Sequence, residues 1–127
     1  MTSEVDPFDL PEWLGEAAVT WTPEGGIHDS HLVRGCLTTD GHDAVACDLL
    51  AVDQAYPRPV ADDETRHQTH QAWQHGQVHL VSCGGRLTLT APGTSYSAEL
   101  VLEVLARLAK AVGARPESFS VLLRLGG

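Results

Sequence analysis

The sequence predicts an α+β fold in which a largely antiparallel sheet carries two helices on one face, in the element order βββαββαβ. Two observations support this class. Short runs of alternating or apolar residues flank the turn sequences Asp40-Gly41 and Gly84-Gly85, which is typical of β-hairpins. Two longer segments, 62–75 and 95–112, have the capping residues and terminal glycines of helices.

Three strands are predicted before the first helix. The first covers residues 18–22 and consists mainly of β-branched and aromatic residues. A hairpin follows, with strands at 31–39 and 44–53 on either side of Asp40-Gly41. Its loop has either two or four residues, and the sequence leaves both lengths open.

A helix and a second hairpin follow this sheet segment. The helix is predicted to begin at Asp62 or Asp63, whose carboxylates can accept hydrogen bonds from the first turn, and to end near His75. The hairpin strands are predicted at 78–83 and 86–91, because two glycines between them permit the positive φ of a tight turn.

The second helix is predicted from Ser95 or Ser97 to about Val112. Its apolar residues form one stripe at helical spacing, which predicts that this side packs on the sheet. Residues 119–125 are predicted to form the last strand.

The chain divides into an N-terminal arm, residues 1–16, and a single α+β domain, residues 17–127. The arm mixes apolar and acidic residues, and we expect it to dock on the domain's own core. The last six elements have the βαββαβ order of a ferredoxin-like core. A secretion-chaperone-like domain, which also runs βββαββα, is the alternative.

Composition narrows the possible functions. The formal net charge is −9, so the chain lacks the excess of basic residues that binds phosphate backbones or anionic membranes. We therefore expect neither nucleic acid nor a membrane as a partner. The N-terminus has no signal-peptide pattern and no apolar run is long enough to span a bilayer, so we expect a cytoplasmic protein. Three cysteines without a C-x-x-C motif predict no disulfide framework.

Four histidines, at positions 67, 70, 75 and 79, lie within thirteen residues, and they are the most unusual feature of the chain. Histidine is the commonest metal ligand and titrates near neutral pH. His67 and His70 are three residues apart on one helix face, and His75 and His79 are possible further ligands for a transition metal. No H-E-x-x-H signature is present, so a solvated or partner-facing surface is the favoured interpretation.

The thiols give a weaker signal. With a four-residue hairpin loop Cys36 faces Cys47 across the ladder, and with a two-residue loop they are diagonal neighbours on the same face. Such a pair can bind a soft metal or form a redox disulfide, but small strand cysteines are usually core residues. No nucleophile elbow, P-loop or dinucleotide fingerprint occurs, so the sequence identifies no catalytic residue and predicts no organic cofactor.

Three segments of the sequence carry a resemblance to a known family: Asp6 to Leu14, Cys47 to Asp53 with Tyr56-Pro57, and Gln71 to Trp73 with His75 to Leu80. On these segments, and over most of its length, the chain resembles a small family of actinobacterial proteins that has no known activity. It implies a bacterial cytoplasmic context and transfers no functional residue.

The favoured function is a non-enzymatic domain that associates with itself, as a homodimer, or with a protein partner. Trp73 on the histidine-rich helix and Trp13 and Phe8 in the arm are the predicted interaction residues, since aromatic residues are enriched at interfaces. The alternative is a metal-binding regulator or metal-dependent enzyme that uses the His67 and His70 cluster. A small-ligand-binding domain is a third hypothesis.

Overall fold

The computed structural model describes residues 2–24, 31–52, 62–93 and 96–122. The strands are β1 (Thr2–Glu4), β2 (Val19–Pro23), β3 (Leu32–Val33), β4 (Gly35–Thr38), β5 (Val45–Ala51), β6 (His79–Cys83), β7 (Arg86–Ala91) and β8 (Phe119–Val121). The helices are α1 (Trp13–Glu16), α2 (Asp63–Gln74) and α3 (Ala98–Ala111), with 3₁₀ turns at Pro7–Asp9 and Pro116–Ser118. The predicted α+β class is confirmed. The end of the last predicted strand, 123–125, lies outside the described residues.

The strands form an eight-stranded sheet in the order β1-β6-β7-β5-β4-β2-β8, and β3 also pairs with β5. Most pairs are antiparallel, but β5 with β7 and β2 with β8 are parallel. A ferredoxin-like core would need β8 beside β5. Here β3 and β4 pair with that edge of β5, and β8 pairs with β2 instead.

Helices α2 and α3 cover opposite faces of the sheet. The hydroxyls of Thr69 in α2 and Thr90 in β7 share a hydrogen bond of 2.7 Å, so α2 lies over the face that carries Thr90. Alternation along β7 turns Leu89 to the other face, where it belongs to the same hydrophobic cluster as the apolar stripe of α3. The prediction of both helices on one face is wrong, because the threonines of β7 are buried rather than exposed.

The N-terminal arm docks on the domain as expected. Leu14 of α1 is fully buried in the main core cluster, and Trp13 packs against that cluster. Gly15 permits this close approach, because a Cβ at that position would lie 2.6 Å from the carbonyl oxygen of Val112 at the end of α3. The arm also supplies β1, a strand that the sequence analysis did not predict.

The first hairpin has a register that neither predicted loop length produces. Cys36 pairs with Ala46 and Leu37 with Val45. Cys47 therefore points to the opposite face from Cys36, and the prediction that the two thiols share a face is wrong. In this register Leu37 and Val45 lie together on the core side of the sheet.

Candidate functional site at the sheet edge

A cleft of about 660 Å³ lies at the edge of the sheet where β1 stops pairing with β6. The last hydrogen bond between them runs from the Val5 amide to the Leu80 carbonyl, 2.9 Å. The chain then turns away at Pro7, which has no amide hydrogen to continue the ladder. The start of β6, with Val78 before it, therefore forms the floor of the cleft. We refer to this space as the edge cleft.

The end of α2 forms one wall of the edge cleft. Gln68, Gln71, Ala72 and His75 line it. The helix stops at Gly76, whose φ of +73° favours glycine and allows the Gln77 amide to donate back to Ala72 O at 2.8 Å. Because α2 ends here, the chain passes directly from this wall of the cleft to its floor at Val78. The wall is therefore rich in amide and imidazole groups that can bond to a ligand.

The second wall comes from α3, and Arg107 fixes it against α2. Its Nη1 donates to the carbonyl oxygens of Trp73, at 3.0 Å, and Gln77, at 3.1 Å. Its Nη2 donates to Glu103 at 2.8 Å, and the guanidinium carbon lies 3.4 Å from the centre of the Trp73 ring. A cation at the carboxyl end of a helix is favoured by the helix dipole. Arg107 therefore holds the two walls at a set separation.

Lys110 lies one turn beyond Arg107 and also lines the edge cleft. It is exposed, and it forms no ion pair with any residue in the described ranges. Its ammonium group is thus available to an acidic ligand. Glu4 contributes the only carboxylate among the described lining residues.

His79 lies at the start of β6, on the same face as Glu4. Burial lowers the pKa of His79, and the nearby negative charge of Glu4 opposes this with a smaller effect. The imidazole is therefore neutral near pH 7, and it can accept a hydrogen bond as well as donate one.

The structure does not assemble the predicted four-histidine site. His75 and His79 line the edge cleft, whereas His67 and His70 are exposed on α2 and do not line it. Within the described ranges, no group of three or more His, Cys, Asp or Glu side chains lies close enough together to hold a metal ion. A metal centre built on His67 and His70 therefore receives no support from the geometry.

The three predicted interaction residues have different environments. Phe8 is 94% exposed, on the 3₁₀ turn next to the cleft residue Pro7. Trp73 is half-buried beneath Arg107 and contacts the core. Trp13 is also half-buried, and its ring stacks on His42 with centroids 5.5 Å apart. Of the three, Phe8 presents its ring almost entirely to solvent.

A second polar cluster lies within the sheet, and sequence analysis did not identify it. Asp48 accepts two hydrogen bonds of 2.9 Å from Arg86, and its Oδ1 also accepts one from the Gly35 amide at 3.3 Å. Arg86 also donates to Gly35 O and to Glu24, both at 3.2 Å. The one indication of this cluster in the sequence is a single acidic residue, Asp48, within the otherwise apolar strand Val45–Ala51.

This cluster replaces part of the ladder between the strands of the first hairpin. The register places Gly35 opposite Cys47, where ladder hydrogen bonds would join the two backbones. Instead, the Trp21 indole donates to Cys47 O at 3.0 Å. Asp48 accepts from the Gly35 amide, and Arg86 donates to Gly35 O. Burial raises the pKa of the Cys47 thiol far above neutral, which excludes a reactive thiolate there. The polar groups of the cluster bond to one another and to the Gly35 backbone, which gives it a structural role, so we take the edge cleft as the candidate site.

Comparisons with protein-family models, with curated proteins and with solved structures found no match to this chain. In the described part of the chain, no helix has the length and apolar character needed to cross a membrane.

Proposed function

We propose that the protein is a non-enzymatic binding domain, and that the edge cleft accepts an extended acidic and apolar segment of a protein. The observation that carries this proposal is the position of the cleft at a sheet edge, between two helix ends and beside a lysine that pairs with no acidic residue in the described part of the chain. Extended peptides commonly bind at sheet edges, where pockets for side chains supply specificity.

The lining offers both apolar and hydrogen-bonding groups to a polypeptide. Its apolar part, Ala72, Val78 and Leu80, can contact aliphatic or aromatic side chains. Gln71 and Gln77 can both donate to and accept from the backbone of a bound segment.

Charge favours an acidic segment. The chain has 17 acidic residues and 8 Lys and Arg, yet two of those cations, Arg107 and Lys110, line this single cleft. Arg107 is already paired with Glu103, and Glu4 adds a carboxylate to the lining, so the attraction for an acidic segment depends on Lys110, which forms no ion pair with any residue in the described ranges. The same overall charge argues against nucleic acid as the partner.

We propose a cytoplasmic location and membership of the actinobacterial family that the sequence resembles. Of the two fold types, we propose the secretion-chaperone-like one, because the described elements from β2 to α3 keep its βββαββα order when β3 and β4 are counted as one interrupted strand.

The proposal is tested by screening immobilised peptides of about ten residues that combine acidic and aromatic positions. Lys110→Glu should weaken binding of the selected peptides about tenfold, since it reverses a charge beside the bound segment. Arg115→Glu is the matched control, because it makes the same charge change at an exposed residue outside the cleft. Equal effects of the two variants, or the absence of any binding peptide, would contradict the proposal.

A further inference from the structure

Phe8 stands on a turn that is held rigidly. The Asp6 carboxylate accepts a hydrogen bond from the Phe8 amide at 2.9 Å, and the Asp6 carbonyl accepts one from the Asp9 amide at 2.9 Å. Pro7 begins the 3₁₀ turn with a fixed φ. The result is a preformed projection, Asp6 to Asp9, with an aromatic ring at its tip and a carboxylate on each side. Little conformational entropy remains to be lost when such a turn binds.

The projection and the edge cleft belong to one surface patch. Pro7 lines the cleft, and its neighbour Phe8 points into solvent. When a projection and a complementary recess lie side by side, two copies related by a twofold axis can each insert into the other. Such a contact closes on itself and stops at the dimer.

The charges of the two parts are complementary at Lys110. Asp6 and Asp9 lie on either side of Phe8 in the turn, and Lys110 is the lining cation that forms no ion pair with any residue in the described ranges, since Arg107 is already paired with Glu103. Glu4 also lines the cleft, so Lys110 is the group that an acidic residue of the turn would meet favourably. The apolar floor at Val78 and Leu80 offers a surface for the ring itself. The turn therefore has the acidic and apolar character that the cleft favours.

We infer that the partner segment is the Asp6–Asp9 turn of a second copy of this chain, with Phe8 entering the edge cleft of that copy. This inference rests on the proposed function, because it names the occupant of the same cleft. It predicts a symmetric homodimer in which both clefts are filled.

The first experiment is sedimentation equilibrium under reducing conditions, from low micromolar to millimolar concentration. The full chain should dimerise, and Phe8→Ala should raise the dissociation constant at least about thirtyfold, as expected for a central aromatic contact. Leu102→Ala is the control, because Leu102 is another exposed apolar residue, on α3 and outside the cleft lining. It should leave the constant unchanged. A monomer throughout the range, or a dimer that tolerates Phe8→Ala, overturns the inference.

The second experiment separates this inference from the proposed function. A photo-crosslinking phenylalanine analogue at position 8 should join an isotopically labelled copy to an unlabelled one at residues of the cleft, such as Gln71 or Lys110. Crosslinks elsewhere on the second copy overturn the inference. Selected acidic peptides that still bind the Phe8→Ala variant, with sensitivity to Lys110→Glu, would then leave the proposed function standing with a different partner.

Discussion

Asp48→Ala removes the acceptor at the centre of the cluster that replaces part of the first hairpin ladder. The carboxylate accepts hydrogen bonds from Nε and Nη2 of Arg86, at 2.9 Å each, and from the Gly35 amide at 3.3 Å. Without it, the guanidinium keeps its charge because no protein environment deprotonates arginine. The variant therefore leaves a partly buried cation with fewer partners and a buried amide without an acceptor.

The expected loss of unfolding free energy depends on how well solvent can hydrate the groups that lose their partner. Breaking a buried ion pair from one side typically costs about 3–5 kcal/mol. The Arg86 side chain is 29% exposed and keeps its contact with Glu24, so the expected loss lies at the lower end, about 3 kcal/mol. That is a large fraction of the roughly 5–15 kcal/mol that stabilises a domain of this size. Asp48→Asn retains one acceptor oxygen and should lose about half as much.

Urea unfolding at pH 7 under reducing conditions, followed by tryptophan fluorescence, measures the difference. Asp63→Ala is the control, because Asp63 also pairs with an arginine at 2.9 Å but is 93% exposed. It should change the free energy of unfolding by no more than about 0.5 kcal/mol. If Asp48→Ala loses less than about 1 kcal/mol, the cluster does not replace the ladder and the reasoning fails.

Two further predictions concern Gly35 and His79. Gly35→Ala should lower the free energy of unfolding by about 1–3 kcal/mol, since its Cβ would lie 2.6 Å from ring atoms of Trp21; an unchanged urea midpoint would contradict this. Burial lowers the pKa of His79, so the unfolded chain binds a proton near the ordinary value of about 6.5 while the folded chain binds it only at lower pH. This histidine's contribution to stability should fall as pH decreases from 7 through 6.5 and level off below its folded pKa. His79→Gln should flatten that part of the profile, whereas His67→Gln at an exposed position should leave it in place.

The elements that could be predicted best from the sequence are those that depend on the backbone conformation or hydrogen bonding of a few neighbouring residues. Gly84 and Gly85 both adopt positive φ between β6 and β7, and Ser97 caps α3 by accepting from the Leu100 amide at 3.2 Å. These signals act over a few residues. Strand β1 has no such signal, because it exists only through pairing with β6, a segment about eighty residues along the chain.

The hairpin register and the edge cleft depend on longer-range contacts. The register follows from the Trp21 indole and the Asp48–Arg86 pair, which substitute for backbone partners. The cleft depends on where β1 leaves the sheet and on Arg107 reaching across to the end of α2. Sequence analysis found two of its lining histidines but had no basis for placing Lys110 beside them.

The histidine cluster itself is explained by how α2 packs. This helix is attached to the sheet by Thr65 and Thr69, both buried, with the Thr69 hydroxyl bonded to Thr90 and to Thr65 O. At 100° per residue, His67 and His70 fall on the opposite side, which faces solvent. A helix that packs through hydroxyl groups shows no strong apolar stripe in its sequence. The histidines on its solvated face are therefore easier to recognise in the sequence than the threonines on its buried face. The residues of α2 that line the edge cleft lie instead in its C-terminal half, where the helix stops and the cleft begins.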